Sequence, residues 1–204
     1  NGDIGSATLP MEEIGRIRKQ EAANSAAIIG AEYICLDYHD EMFFEEPRKT
    51  RLDFINLVRY CKADVIFTHY PEDYNPDHEL TGKIINDIAV MIPIAKLETK
   101  SAPYDVIPSI WYFEPSCSMR FVPTDYVDIT DFYETKMKML NCMESQRAWM
   151  ADNYASMRGD EDRFFDTIRI TSEFRGMQAQ CKYAEGFVRA LDGMRTRMTE
   201  RVLP

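Results

Sequence analysis

Apolar residues in the first half of the chain alternate between short continuous runs and longer stretches with a helical repeat. Continuous runs are typical of buried strands, and they occur at residues 33–36, 65–68 and 106–113. Helical periodicity occurs at residues 11–29, at 47–61, and in a stretch ending near Pro93 that carries Leu80, Ile84, Ile88 and Ile92. This alternation predicts an α/β fold with a mostly parallel sheet and helices on both of its faces.

The last third of the chain is predicted to be mainly helical. Asp131 and Glu134 have the spacing of a capping box, which predicts the start of a long helix that reaches Met150. One stripe of this helix is interpreted as core, and it consists of Met139, Cys142, Met143, Gln146, Trp149 and Met150. A helix at residues 161–177 and a short extended segment at 183–187 complete the pattern.

Composition excludes several classes of function. The 204 residues carry a formal net charge of −10, and nucleic-acid affinity comes mostly from Lys and Arg, so no nucleic-acid partner is expected. Five scattered cysteines without a CxxC pair argue against a disulfide framework and a thiolate zinc site. No apolar stretch approaches the roughly 20 residues that span a bilayer, and no signal peptide is recognisable. We therefore expect one cytoplasmic domain without a membrane span.

The segment at residues 69–82, HYPEDYNPDHELTG, is the part of the chain richest in candidate ligands. It follows a predicted buried strand directly and contains two of the three histidines. In α/β sheets the carboxyl ends of the strands border the ligand crevice. We therefore expect four polar side chains to converge there, at the start of the next helix: Asp73, Asn75, Asp77 and His78.

Further motifs accompany this segment in a fixed order. They are the glycine loop NGDIG at residues 1–5, an R-x-x-E pair at Arg18 and Glu21, VDIT at 127–130, SQ at 145–146, RG at 175–176 and YAEGF at 183–187. Taken together with the H-x-P-x-D-x-N-P-D-H segment, they resemble the PIG-L/LmbE family of zinc-dependent N-deacetylases. The joint order is more specific than any single motif.

The resemblance implies an LmbE-like, Rossmann-like fold over residues 1–204, with a C-terminal helical part at about 131–204. The family's first motif, A-H-P-D-D-E, does not occur in this sequence, which begins at Asn1. In the family that motif carries the other zinc ligands and the general base, close to the N-terminal strands. We therefore expect the sequence to be an N-terminally truncated form of the fold.

The resemblance also assigns roles within residues 69–82. His78 is expected to bind Zn²⁺, and the simpler alternative is that it caps its own helix. Asp77 is expected to orient His78 or a catalytic partner, although Asp is also a common helix N-cap. Asn75 stands where the family usually has a His that stabilises the oxyanion or protonates the leaving amine. An amide donates a hydrogen bond but exchanges no proton at neutral pH, and an Asx-type turn is the alternative.

Contacts with substrate are expected from Arg18, Asp40 and Asp73. Arg18 resembles the family's sugar-contacting arginine and interrupts an apolar helix face, and an ion pair with Glu21 is the alternative. Asp40 lies in the acidic loop at residues 37–46, where relatives have a substrate-contacting Asp, and a solvated carboxylate is the alternative. His69, in contrast, is expected to be structural.

These expectations describe a hydrolase that removes an N-acetyl group from a small amino-sugar substrate. Zinc-activated water would attack the linear amide, and acetate and a free amine would leave. A non-catalytic carbohydrate-binding module on the same fold is the rival, which the missing first motif and Asn75 both favour. Another metal hydrolase, such as a phosphoesterase with more than one metal, is a third hypothesis. A homo-oligomer is compatible with each of them.

Overall fold

Helices and strands alternate in the first half of the chain and helices dominate the second half, as the sequence pattern predicts. The elements are α1 (Met11–Ile28), α2 (Pro47–Cys61), β1 (Val65–His69), α3 (Pro76–Ile88), β2 (Ser109–Phe113), β3 (Asp125–Asp128), α4 (Tyr133–Asn141), α5 (Glu144–Asn153), α6 (Asp162–Ala179) and β4 (Ala184–Arg189). Short 3-10 turns lie at Ala89–Met91, Ser116–Ser118 and Thr130–Phe132.

The structure is a computed structural model that describes residues 1–42, 47–118, 120–154, 159–160 and 162–191. Parts of three predicted features lie outside the described residues: positions 43–46 of the acidic loop, Glu161 at the start of the predicted last helix, and positions 192–204 of the C-terminal part. The chain divides into two compact units. The first comprises Asn1–Asp40 and Asp128–Ala184, and the second comprises Glu41–Val127 and Glu185–Pro204.

The strands form one mixed sheet in the order β1-β2-β4-β3. β1 and β2 are parallel, with Val65 opposite Ser109 and His69 opposite Phe113, whereas β2 and β4 are antiparallel. The predicted α/β class is confirmed, with a mixed sheet among the described residues where we expected a mostly parallel one. His69 therefore lies at the carboxyl end of a parallel strand, where the sequence analysis places the site.

The strand predicted at residues 33–36 is wrong. α1 ends in a Schellman turn, in which Gly30 has a φ of 67° and the Ala31 amide donates to the Ala26 carbonyl. The following apolar residues are irregular, and Tyr33 and Ile34 are exposed. A strand needs a hydrogen-bonded neighbour, and residues 33–36 pair with no strand in the described part of the chain.

The long helix predicted from Asp131 is also wrong, because α4 ends at Asn141 and α5 starts at Glu144. The expected capping box is absent: α4 has no side-chain cap, and Asp128 instead accepts a hydrogen bond from the Thr130 amide at 2.9 Å. The predicted core stripe of this helix is half-buried at every position.

The core of the second unit lies between α2, α3 and the sheet. The four-residue repeat in α3 is confirmed, since Ile84, Ile88 and Ile92 are buried and Leu80 is half-buried. α2 contributes Ile55 to this core and also buries Arg59. The Arg59 guanidinium donates to the carbonyls of Ile92, Ile94 and Leu97 at 2.6–2.9 Å, which fixes the chain after α3. No described helix is long and apolar enough to cross a membrane.

α3 approaches the end of β1 so closely that a side chain at Gly82 has no room. A Cβ atom there would lie 2.3 Å from the His69 carbonyl oxygen, which is a backbone atom that cannot rotate away. The same glycine in a helix interior carries an entropic cost of about 1 kcal/mol relative to Ala. The close packing requires glycine at position 82, and Gly82 therefore sets the distance between β1 and α3.

We predict that Gly82→Ala lowers the free energy of unfolding by about 1–3 kcal/mol, because the added methyl group forces α3 away from β1. Gly15→Ala in α1 is the matched control, since its Cβ would meet the nearest atom, Asp3 Cβ, at 3.4 Å. That control is expected to be neutral or stabilising. Urea denaturation measures both, and equal stability of Gly82→Ala and wild type would contradict the packing argument.

Candidate functional site

The loop between β1 and α3 holds its polar side chains through Asn75. The Asn75 Oδ1 atom accepts hydrogen bonds from the backbone amides of Asp77 at 2.9 Å and His78 at 3.2 Å, which makes Asn75 the N-cap of α3. Pro76 follows at the first helical position. The Asx-type structural role is therefore present. It orients the side chain so that Nδ2 has no hydrogen-bond partner among the described residues and remains a donor for a ligand.

Asp73 is the buried acceptor at the centre of this loop, with a side chain that is only 1% exposed. Its Oδ1 accepts from the Asn75 amide at 3.1 Å, and its Oδ2 lies 3.2 Å from His78 Nδ1. A carboxylate only accepts, so His78 carries its proton on Nδ1 and donates to Asp73. The lone pair on His78 Nε2 is then available, which is how metal-bound histidines are commonly held by a carboxylate.

His69 supports the His78 ring by stacking on it. The two ring centroids are 4.0 Å apart with planes inclined by 15°, and the other neighbour of His69 is Phe113, edge-on at 4.7 Å. Burial, together with the electrostatic effect of His78, lowers the pKa of His69 to about 4, and Asp73 partly opposes this shift. His69 is therefore neutral at physiological pH.

His69, Asp73 and His78 have ligand atoms within 4.8 Å of one another, so the donor set fits a divalent metal such as zinc. The ring stack limits how they can bind it. A metal lies in the plane of each imidazole at about 2.0–2.1 Å from nitrogen. One ion cannot satisfy this for two stacked, nearly parallel rings, because it would approach one ring from its face. In this arrangement at most one of the two stacked rings could therefore bind such an ion.

Asp77 does not cap α3, which was the alternative role for it in the sequence analysis. Asn75 caps α3, whereas Asp77 Oδ2 accepts a hydrogen bond from the Glu41 amide at 2.6 Å. The Asp77 carbonyl also accepts from the Thr81 hydroxyl at 2.7 Å. The Asp77 carboxylate thus joins the start of α3 to the chain that follows Asp40.

In the first unit, Arg18 lies under the glycine loop. Its Nη2 donates to the Gly5 carbonyl at 3.3 Å and its Nη1 donates to Gln146 Oε1. Cβ atoms at Gly2 and Gly5 would lie 2.8 Å from Arg18 Cδ and 2.2 Å from Arg18 Nη2, so the loop depends on both glycines to cover the guanidinium. Burial lowers the pKa of Arg18 against the opposing charges of Asp40 and Glu21, and Nε makes no hydrogen bond within the described chain.

The alternative of an Arg18–Glu21 ion pair is wrong, because each residue binds a different part of α5. Glu21 Oε1 accepts from the Ser145 amide at 2.8 Å and Oε2 accepts from the Ser145 hydroxyl at 2.6 Å. The first amides of a helix have no partner inside it, and α5 has no side-chain cap of its own. Glu21, which lies on α1, therefore supplies an acceptor for an amide in the first turn of α5.

Asp3 organises the other polar cluster of the first unit. Its side chain is 3% exposed, with Oδ2 at 2.5 Å from His39 Nδ1 and Oδ1 at 3.0 Å from the Asp40 amide. Burial raises the pKa of Asp3, but hydrogen bonds from His39 and Asp40 together bring this pKa below its ordinary value. Asp3 is thus a charged, buried acceptor.

The structure places the predicted site residues in both units. Asp73, Asn75, Asp77 and His78 come together at the start of α3 in the second unit, as predicted, whereas Arg18 and Asp40 belong to the first unit. Sequence reasoning gave His39 no role, although it is one of three histidines and directly precedes Asp40. It also did not foresee that Ser145 and Gln146 bind Glu21 and Arg18.

Residues 1–89 match the family model described as PIG-L, GlcNAc-PI de-N-acetylase. The resemblance to the PIG-L/LmbE family is confirmed. The matched PIG-L region contains every residue for which we predict a site role, from Arg18 to His78. The motifs at residues 127–187 lie beyond it.

Solved structures show the same fold over almost the whole chain. N,N'-diacetylchitobiose deacetylase from Pyrococcus horikoshii has a TM-score of 0.75 and 24% identity, over 93% of this chain and 69% of its own. The 4-carboxy-2-hydroxymuconate hydratase from Pseudomonas putida has a TM-score of 0.74 and 20% identity, over 97% and 79%. A conserved protein from Thermus thermophilus has a TM-score of 0.74 and 20% identity, over 94% of this chain and 78% of its own. These matches establish the LmbE-like α/β fold.

The lowered pKa of His69 predicts a pH-dependent stability. Below pH 6.5 the unfolded chain protonates His69, whereas the folded protein does not until about pH 4, so the unfolded state binds more protons in this window. The free energy of unfolding therefore falls as the pH drops from 6.5 towards 4. His69→Phe keeps the aromatic stack and cannot titrate, so urea denaturation is expected to show a shallower pH dependence. Equal slopes in both proteins would refute the assignment.

A double-mutant cycle tests the cap that Glu21 provides. We predict a coupling free energy of about 1 kcal/mol between Glu21→Gln and Ser145→Ala, because the two side chains share a charged hydrogen bond. Glu13, whose partner is Arg16, supplies the control. Glu13→Gln and Ser145→Ala are expected to be additive in urea denaturation, and additivity of the Glu21 pair as well would show that the bond between the Glu21 carboxylate and the Ser145 hydroxyl adds no stability.

Proposed function

We propose that the protein is a zinc-dependent hydrolase that removes the acetyl group from an N-acetylglucosaminyl-type small molecule. Three findings support this proposal. Residues 1–89 match a de-N-acetylase family model, a deacetylase of N,N'-diacetylchitobiose has the same fold, and the β1–α3 loop offers a donor set suited to a metal. We also propose a cytoplasmic location for this activity.

The observation that carries the proposal is the fixed state of His78. Asp73 holds the proton on Nδ1 and His69 stacks on the ring, so the lone pair of Nε2 has a fixed direction. The His78 side chain is one-third exposed. A histidine that only stabilised its helix would need neither support. His78 is the proposed zinc ligand, and the resemblance assigns the other ligands to the family's A-H-P-D-D-E motif. Bound zinc supplies Lewis-acid polarisation of the amide carbonyl and activation of water.

The neighbours of His78 have distinct proposed roles. Asp73, which we predicted to contact substrate, is proposed to orient His78, since both of its oxygens have protein partners. Asn75 is fixed by the two amides that it caps and offers Nδ2 as a donor to the developing oxyanion. Asp77 is proposed to hold the start of α3 in place through the Glu41 amide.

Substrate recognition is proposed to involve Arg18 and Asp40, as the resemblance implies. Arg18 is already oriented by Gln146 and the Gly5 carbonyl, so it would lose little freedom on binding a sugar oxygen. The Asp40 backbone is oriented by Asp3. Both side chains are half-buried.

A second candidate is a hydratase that adds water to an unsaturated carboxylic acid. One neighbour with the same fold is a hydratase, and it matches 97% of this chain. The half-buried Arg18 guanidinium would suit a carboxylate as well as a sugar. The two candidates differ in product, since only the deacetylase releases acetate. A binding module on the same fold would produce neither.

Metal content tests the assignment of His78 against that of His69. After dialysis of the full-length protein with zinc, the His78→Ala variant is expected to lose bound zinc by elemental analysis while it keeps a wild-type circular dichroism spectrum. His69→Phe is the control and should keep its zinc. Asp73→Asn should weaken zinc affinity by roughly 10- to 100-fold, because the amide has one acceptor oxygen in place of two and no charge to hold both the Asn75 amide and His78 Nδ1. Equal loss of zinc in the His69 and His78 variants would make His69 a ligand.

Activity is measured on the same proteins. The zinc-loaded wild type is expected to release acetate from N,N'-diacetylchitobiose or N-acetylglucosamine conjugates, to lose this activity with a chelator, and to regain it with zinc. His69→Phe should keep most of the activity that His78→Ala loses. Zinc binding without acetate release from any N-acetylated sugar would refute the deacetylase, and hydration of an unsaturated dicarboxylic acid would establish the second candidate.

A further inference from the structure

His39 in the first unit is held in place although it is open to solvent. Its side chain is 69% exposed, yet its Nδ1 lies 2.5 Å from Oδ2 of Asp3, whose own side chain is 3% exposed. Exposed side chains are normally free to sample several rotamers, and fixing one costs conformational entropy. The hydrogen bond to a buried carboxylate offsets this cost. The Nδ1 atom of the imidazole is therefore anchored, while most of the ring remains open to solvent.

Asp3 defines which nitrogen of His39 is available. The Asp3 carboxylate only accepts hydrogen bonds, so in the neutral form of His39 the proton lies on Nδ1 and Nε2 is unprotonated. The second oxygen of Asp3 accepts from the Asp40 amide at 3.0 Å, and the Asp3 amide donates to Asn1 Oδ1 at 3.3 Å. One buried carboxylate thus fixes both His39 and the backbone of Asp40.

We propose that His39 is a substrate-binding residue, whose Nε2 accepts a hydrogen bond from a hydroxyl group of the sugar beside Asp40. This inference rests on the proposed function, because an amino sugar is the ligand. A sugar hydroxyl donates one hydrogen bond and accepts others, so it matches an acceptor nitrogen next to a carboxylate. Asp3 acts as the positioning residue of the pair. The specificity of the site would therefore depend on the direction of one imidazole.

A purely structural role is the competing explanation, in which His39 only neutralises the charge of Asp3. Two substitutions separate the explanations because they preserve different nitrogens. His39→Asn places an amide donor near the position of Nδ1 and removes Nε2, so it keeps the bond to Asp3. His39→Gln reaches the position of Nε2 with a polar atom and gives up the short bond to Asp3. A structural histidine is replaced better by Asn, and a sugar-binding one is replaced better by Gln.

The experiment measures binding of N,N'-diacetylchitobiose and N-acetylglucosamine by NMR titration, with urea denaturation of each variant as the check on folding. His39→Asn is expected to keep wild-type stability and to bind the disaccharide roughly threefold to tenfold more weakly, which is the value of one neutral hydrogen bond. His39→Gln is expected to bind more tightly than His39→Asn. In kinetics, the loss should appear in KM with kcat nearly unchanged.

A ¹⁵N spectrum of the wild-type imidazole gives an independent measurement if a variant fails to fold. The free protein should show a protonated Nδ1 and an unprotonated Nε2 for His39, and the disaccharide should shift the Nε2 resonance. Wild-type affinity of His39→Asn, or an Nε2 resonance that the sugar leaves unchanged, would overturn the inference. Neither result bears on acetate release by the zinc-loaded wild type, which decides the proposed function separately.

Discussion

The distance between β1 and α3 is the constraint on which the candidate metal site depends. Gly82 lets the helix lie directly against the His69 carbonyl, where any larger residue would force the two elements apart. That close approach brings the start of α3 level with the end of β1. The rings of His69 and His78 can then stack at 4.0 Å, and Asp73 reaches His78 from the loop between them. A glycine in the second turn of the helix thus controls geometry at its first turn.

The first unit solves a different problem, the burial of charged side chains on a helix. Arg18 and Glu21 lie one turn apart on α1 and would be expected to pair, but such a pair would compete with the bond that Glu21 accepts from the Ser145 amide at the start of α5. Glu21 binds Ser145 instead, and Arg18 binds Gln146 and the glycine loop. Because both charges have partners on other segments, α1 and α5 are joined by polar contacts at defined positions.

The sequence predicts those features that arise from local patterns. The Ile84–Ile88–Ile92 repeat places a helix and its buried face correctly, and the polar residues after Val65–His69 identify the loop where ligands converge. Features set by distant partners are missed. Residues 33–36 have strand propensity but no neighbouring strand in the described chain. The start of α5 binds Glu21, which lies more than a hundred positions away and leaves no signal in the sequence near Glu144.

Asp3 and Asp73 use the same arrangement in the two units. Each carboxylate is almost fully buried, accepts a backbone amide with one oxygen and faces a histidine Nδ1 with the other. The amide fixes the carboxylate, and the carboxylate then fixes the ring and its proton. Both His39 and His78 consequently expose Nε2 as an acceptor, which can bind a metal or a hydroxyl group but cannot donate while the ring is neutral. Their surroundings differ, and this difference underlies the two proposed roles: His78 is only one-third exposed and backed by a second imidazole, whereas His39 is open to solvent.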